Sequence, residues 1–139
     1  QYPNNAACLA ACGSFPAGMA GDTTGNSLGC RYYHTEAAVS SPAVHCYHAG
    51  PLGGDGTQCG DPCEGFCNYQ QEVCGTAQYV SAAACLDVCD DFPLGEYTPG
   101  ATGDTLACRM YHLTVAASGA GADAVHCPHT AAVDGGQCE

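Results

Sequence analysis

The sequence predicts a small, disulfide-rich fold, mainly loops with short α-helices, organised as two tandem repeat units. Three observations predict it. Thirteen of the 139 residues are cysteine, a density typical of short chains held by disulfides. Large apolar side chains are scarce, with no Trp, three Phe and two Met, so crosslinks must substitute for a large core. Finally, the chain repeats itself. "QYPNNAACLAACGSFP" (1–16) matches "QYVSAAACLDVCDDFP" (78–93), and "GNSLGCRYYH" (25–34) matches "GDTLACRMYH" (103–112). "AVHCYH" (43–48) matches "AVHCPH" (124–129), and "GGDGTQCG" (53–60) matches "AVDGGQCE" (132–139).

The offset between copies is 77 residues at the start and 79 at the end. That drift lies in Gly-, Ser- and Ala-rich loops, where length changes are tolerated. "CEGFCNYQQEVCGTA" occurs once, between the copies. The division is therefore residues 1–62 as repeat unit 1, 63–77 as a connecting Cys-rich helix and 78–139 as repeat unit 2.

Element by element, residues 6–12, 63–74 and 82–89 read as short helices from their Ala, Leu, Glu and Gln content. Residues 31–39 and 109–117 read as one or two helical turns. The remainder is Gly/Pro/Asp-rich loop, and no alternation marks a strand. Cys8/Cys12, Cys63/Cys67 and Cys85/Cys89 are each spaced i,i+4, which places both sulfurs of a pair on one helix face. Two such helices lying antiparallel could share two rungs, for example Cys63–Cys89 and Cys67–Cys85. Two Ala-rich Cys-x3-Cys helices then compete for one partner helix at 63–74. An odd cysteine count also leaves one thiol free or bonded to another chain.

Charge narrows the function classes. There is no Lys, the only Arg residues are Arg31 and Arg109, and 14 acidic residues give a formal net charge of −12. Nothing here could neutralise a run of phosphates, which argues against nucleic acid and against an anionic membrane surface. No run of 18 apolar residues marks a membrane span. The absence of Cys-x2-Cys pairs favours disulfides over zinc on the cysteines. That implies an oxidising, extracellular or cell-surface location. The chain begins at Gln1, as expected of a processed chain or a segment of a longer one.

The six histidines and both arginines fall in matched stretches: "CRYYH" (30–34) with "HCYH" (45–48), and "CRMYH" (108–112) with "HCPH" (126–129). Each unit thus offers three imidazoles, His34, His45 and His48 or His112, His126 and His129. If they converge, they suit Zn or Cu. Cys46 and Cys127 read as halves of disulfides, with Cys30 or Cys108 as partners that would draw the two stretches together. Asp22 or Asp104 could complete or orient such a site. The competing reading is a structural His/Arg network around loop carbonyls. Arg31 and Arg109 fit it, each paired with a carboxylate and several carbonyls. A structural role likewise falls to Cys8, Cys12, Cys30, Cys46, Cys59, Cys63, Cys67, Cys74, Cys85, Cys89, Cys108, Cys127 and Cys138.

No catalytic residue is expected, because GxSxG, HExxH, a P-loop and the Cys-x2-Cys-His haem string are all missing. Oxidised cysteines would also lack the thiolate of a Cys–His nucleophile. "VSSPA" and "EYTPG" could carry O-linked glycans.

The order CxxxC…CRxYH…HCxHAGP…C…CxxxC resembles a secreted Cys/His-rich tandem repeat found in extracellular proteins of microbial eukaryotes and some large-genome bacteria. It covers nearly the whole chain. The resemblance implies an extracellular tandem-array setting and no catalytic residue. The second copy departs from it, with "HCPHTAAVDGG" in place of "HCYHAGPLGGDG", which weakens a second site if the AGP turn matters.

The leading expectation is a non-enzymatic, secreted structural subunit of an extracellular or cell-surface assembly. Its partners are copies of itself, joined head to tail and possible as a filament. The alternative is an extracellular metal-binding module with Zn or Cu on the histidine triads.

Overall fold

The computed structural model describes residues 1–56, 58–133 and 136–139. Among these, the chain forms seven short α-helices and one 3-10 turn, without strands. Unit 1 holds α1 (Asn5–Ser14), α2 (Leu28–Ala37) and α3 (Pro42–Ala49). Next comes α4 (Pro62–Cys74), followed in unit 2 by α5 (Ala82–Cys89), α6 (Leu106–Ala116), α7 (Ala122–His126) and the 3-10 turn Cys127–Thr130.

Most helices start on a side-chain cap. Asn4, Ser27, Asp61, Ser81 and Thr105 each accept a backbone N–H from the first turn, satisfying a donor that the helix itself cannot. Pro42 and Pro62 open α3 and α4, where a missing N–H costs nothing. Residues 42–49 read from sequence as loop, yet they are helical, and Pro42 was the overlooked start signal.

The two units are built alike down to single hydrogen bonds. Leu28 N–H donates to Pro16 O at 2.8 Å, and its counterpart Leu106 N–H donates to Pro93 O at 2.9 Å. Ahead of each helix the chain turns on a glycine with positive φ, Gly25 at 90° and Gly103 at 87°, a conformation that a Cβ disfavours.

The core gathers around α4. Phe66, Cys67 and Tyr69 are fully buried, and α4 packs against α1, α5 and α6. Tyr69 Oη donates to Ala7 O at 3.0 Å, seating α4 on the small Ala7/Ala11 face of α1. On its other side α4 is bonded to α5 by two rungs, Cys63–Cys89 and Cys67–Cys85. Cys74–Cys127 ties the end of α4 to the 3-10 turn. Cys30–Cys59 and Cys108–Cys138 fasten the closing loop of each unit to α2 and α6.

Three thiols remain free: Cys8, Cys12 and Cys46. The expected bonds of Cys46 and Cys127 to Cys30 or Cys108 are therefore corrected: Cys46 is free, and Cys127 pairs with Cys74. Cys30 and Cys108 reach the closing loops instead. On α3, Cys46 lies about 100° around the helix from its neighbour His45, so turning His45 and His48 inward leaves Cys46 exposed.

Candidate metal centre

Helix α2 carries His34 on its buried face, and α3 packs across it. The i,i+3 spacing of His45 and His48 puts both on the α3 face that meets α2. The three imidazoles converge. His45 Nδ1 lies 2.9 Å from His34 Nδ1, and His48 Nδ1 lies 3.4 Å from it. One nitrogen from each ring can be chosen so that all lie within 4.8 Å of one another. In a tetrahedral Zn site with Zn–N bonds of about 2.0–2.1 Å, neighbouring nitrogens sit about 3.3 Å apart.

The far side of His34 sets its tautomer. Its Nε2 is 3.1 Å from Thr23 O. A carbonyl can only accept, so Nε2 carries the proton and Nδ1 presents its lone pair to the other two rings. Metal-bound histidines are oriented in this way. Thr23 was missed by sequence reasoning because the contact is made by its backbone, which no side-chain motif encodes.

One histidine of each triad is biased toward its neutral form. Burial lowers the pKa of His48 below the ordinary imidazole value, and the neighbouring His34 and His45 lower it further, against an opposing pull from Asp55. In unit 2, burial and then His129 lower that of His126. Neutral imidazole is the form that binds a metal.

Unit 2 repeats the arrangement less tightly. His112 Nδ1 and His126 Nδ1 are 3.0 Å apart, and the His112 and His129 ring centroids are separated by 4.8 Å. The His126 and His129 centroids lie 6.2 Å apart, against 5.8 Å for His45 and His48. Pro128 is the cause. It stands where unit 1 has Tyr47, ends α7 after His126 and turns Cys127–Thr130 into a 3-10 segment. Proline lacks the N–H that a continuing helix needs, and its ring crowds the preceding turn.

Other expected participants are elsewhere. Asp22 accepts from Met19 N–H at 2.8 Å, and Asp104 pairs with Arg109 at 2.9 Å. These contacts occupy their carboxylates away from the triads. Arg109 donates to the carbonyls of Thr105, Ala131 and Ala132 and stacks on Phe92. Arg31 stacks on Phe15 and donates to Ser27 O. No carboxylate pairs with it among the described residues, contrary to expectation. Cys30 and Cys59 lie beside His34, and Cys108 and Cys138 beside His112. Both pairs are oxidised, so they lack the thiolate that ligates a metal.

Fold and site together define a disulfide-locked helical repeat protein with one histidine triad per repeat. The chain belongs to the family described as the BfoA family C-terminal domain, which matches residues 1–63 and again 61–139. It is similar to the Aurasperone B biosynthesis cluster protein A of Aspergillus niger, with 45% identity over 56 residues, 40% of this chain and 18% of that protein. It is also similar to the Bifonsecin B biosynthesis cluster protein A of Aspergillus brasiliensis, with 41% identity over 56 residues, 40% of this chain and 19% of that protein. The aligned stretch thus covers less than a fifth of either relative. No solved structure matches. No helix among the described residues is long and apolar enough to cross a membrane.

Proposed function

We propose that this chain is an extracellular, non-enzymatic metal-binding module in which each repeat can hold one Zn or Cu ion on its histidine triad. The observation that carries this reading is the convergence of three imidazoles in unit 1, with the Thr23 carbonyl leaving His34 Nδ1 as a lone pair. With His34, His45 and His48 as its protein donors, a bound Zn or Cu ion would be able to take a further ligand from solution. The relatives' names place them in biosynthesis clusters. An accessory role beside small-molecule biosynthesis is the setting this reading takes from them. Elemental analysis of protein purified without chelator tests it. Metal approaching two ions per chain, lost in the His45→Ala/His126→Ala double variant, is the expected result. Metal-free protein that takes up neither Zn nor Cu in a titration would overturn it.

A second reading, a structural subunit of an extracellular assembly, draws support from three free thiols in a chain otherwise locked by disulfides. Size-exclusion chromatography under oxidising conditions tests it. Higher-order species that dissolve on reduction support it, and a monomer that keeps its three thiols counts against it.

A further inference from the structure

The three free thiols are not scattered. Cys8, Cys12 and Cys46 occupy the repeat positions of Cys85, Cys89 and Cys127 in unit 2. Those three are the cysteines that α4 bonds, through Cys67, Cys63 and Cys74 respectively. Unit 1 therefore lacks the whole set of disulfides that one helix provides, and keeps the other, Cys30–Cys59, the counterpart of Cys108–Cys138.

The groove that such a helix would fill is present. A cavity of about 340 Å³ is lined by Tyr2, Cys8, Cys12, Phe15, Leu28 and Arg31, among others. In unit 2 the counterparts of Tyr2, Cys8 and Leu28, namely Tyr79, Cys85 and Leu106, are buried in one cluster with Phe66 of α4. Phe66 meets the edge of Tyr79 with ring centroids 6.4 Å apart. Further along the groove, Tyr32 and Thr35 are exposed, whereas their counterparts Met110 and Leu113 are fully buried. The same face is covered in unit 2 and open in unit 1.

Arg31, on the wall of the groove, is also less well satisfied than its counterpart. Arg31 is 5% exposed, yet its Nε and one terminal nitrogen, Nη2, have no hydrogen-bond partner among the described residues. A buried donor left without a partner is costly. Its counterpart Arg109 has Nε and both terminal nitrogens engaged.

We infer that the unit 1 groove is a covalent docking socket for a Cys-x3-Cys-x6-Cys helix of the α4 kind, brought by a repeat unit directly preceding unit 1 in an array. A second copy of this chain cannot be the donor, because all three cysteines of its own α4 are already bonded. The direction follows from unit 2. There the closing helix ends at Cys74, four residues before Gln78, the counterpart of Gln1. The incoming helix bonds its first cysteine to Cys12, its second to Cys8 and its third to Cys46. Each bond forms by thiol–disulfide exchange with a disulfide oxidant such as oxidised glutathione. Six thiols give three disulfides, three oxidant molecules are reduced, and six glutathione thiols are released. The inference does not depend on metal binding, and the metal titration leaves it untouched.

The test extends the full chain by placing a copy of residues 61–77 directly before Gln1, which recreates the natural 77-to-78 junction. Both chains are refolded in a glutathione buffer, their thiols counted and their disulfides mapped. The parent is expected to titrate three thiols and the extended chain none. The extended chain should be monomeric, with the added cysteines mapped to Cys12, Cys8 and Cys46. Changing both Cys8 and Cys12 to Ser should leave the two matching added thiols free. Three outcomes overturn the inference: Cys8, Cys12 and Cys46 staying reduced, Cys8 bonding to Cys12, or the added cysteines linking separate chains. A change in aggregation alone does not count, because the disulfide map is the readout.

Discussion

His34 Nε2 sits 3.1 Å from the Thr23 carbonyl, and this single backbone contact decides which nitrogen of the ring faces His45 and His48. Without it the tautomer would be open and the three-nitrogen cluster undefined. Replacing His34 with Gln should therefore remove one equivalent of bound metal, even though Gln retains a polar side chain. Calorimetric titration with Zn checks this. Unchanged stoichiometry would place the metal elsewhere.

Pro128 is what separates the two triads. Pro128→Tyr restores the "HCYH" pattern and should extend α7 through His129. Zn affinity at the second site should then tighten about tenfold, or roughly 1.4 kcal/mol. Titration of the variant in a His34→Gln background, which silences the first site, gives the number directly.

Acid should weaken the protein through its histidines. His48 and His126 have lowered pKa values in the folded state, so the folded chain accepts protons less readily than the unfolded one. Their effect is absent above the ordinary imidazole pKa of about 6.5 and grows as pH falls below it. It levels off once the folded-state values are passed. Thermal melts of metal-free protein between about pH 7 and pH 5 should show this loss. A His48→Gln/His126→Gln variant should show a shallower one.

Arg109 should matter far more than its salt bridge does. The side chain is fully buried, whereas its partner Asp104 is 64% exposed. Asp104→Asn should cost about 0–1 kcal/mol, as for surface ion pairs. Arg109→Met strands the carbonyls of Ala131 and Ala132 and should cost about 1–3 kcal/mol for each carbonyl left unsatisfied. Urea denaturation of the two variants separates these outcomes.

The crosslinks should rank by the length of chain they close. Cys74–Cys127 spans 53 residues and Cys67–Cys85 spans 18. Replacing both cysteines of a pair with Ser should cost about 1 kcal/mol more for the longer loop, from chain entropy alone. Denaturant midpoints of the two double variants test this ordering.

The repeat, the cysteine count and the i,i+4 spacings are sequence facts, and they sufficed to place the helices at α1, α4 and α5. They also made the Cys63–Cys89 and Cys67–Cys85 rungs available, because a helix face is a local property. Both stretches of each histidine triad were legible for the same reason, as matched motifs. What the sequence could not decide depended on which elements meet. Cys46 stays free because α3 turns its histidines, not its thiol, toward α2. Among the described residues Arg31 has no acid beside it although Arg109 does, and the carbonyl that orients His34 belongs to a loop residue with no motif of its own. Above all, α4 had two possible partners of equal spacing, α1 and α5. Packing settled it: α4 bonds to α5 and rests on the Ala7/Ala11 face of α1, so one socket is filled and its twin stands open.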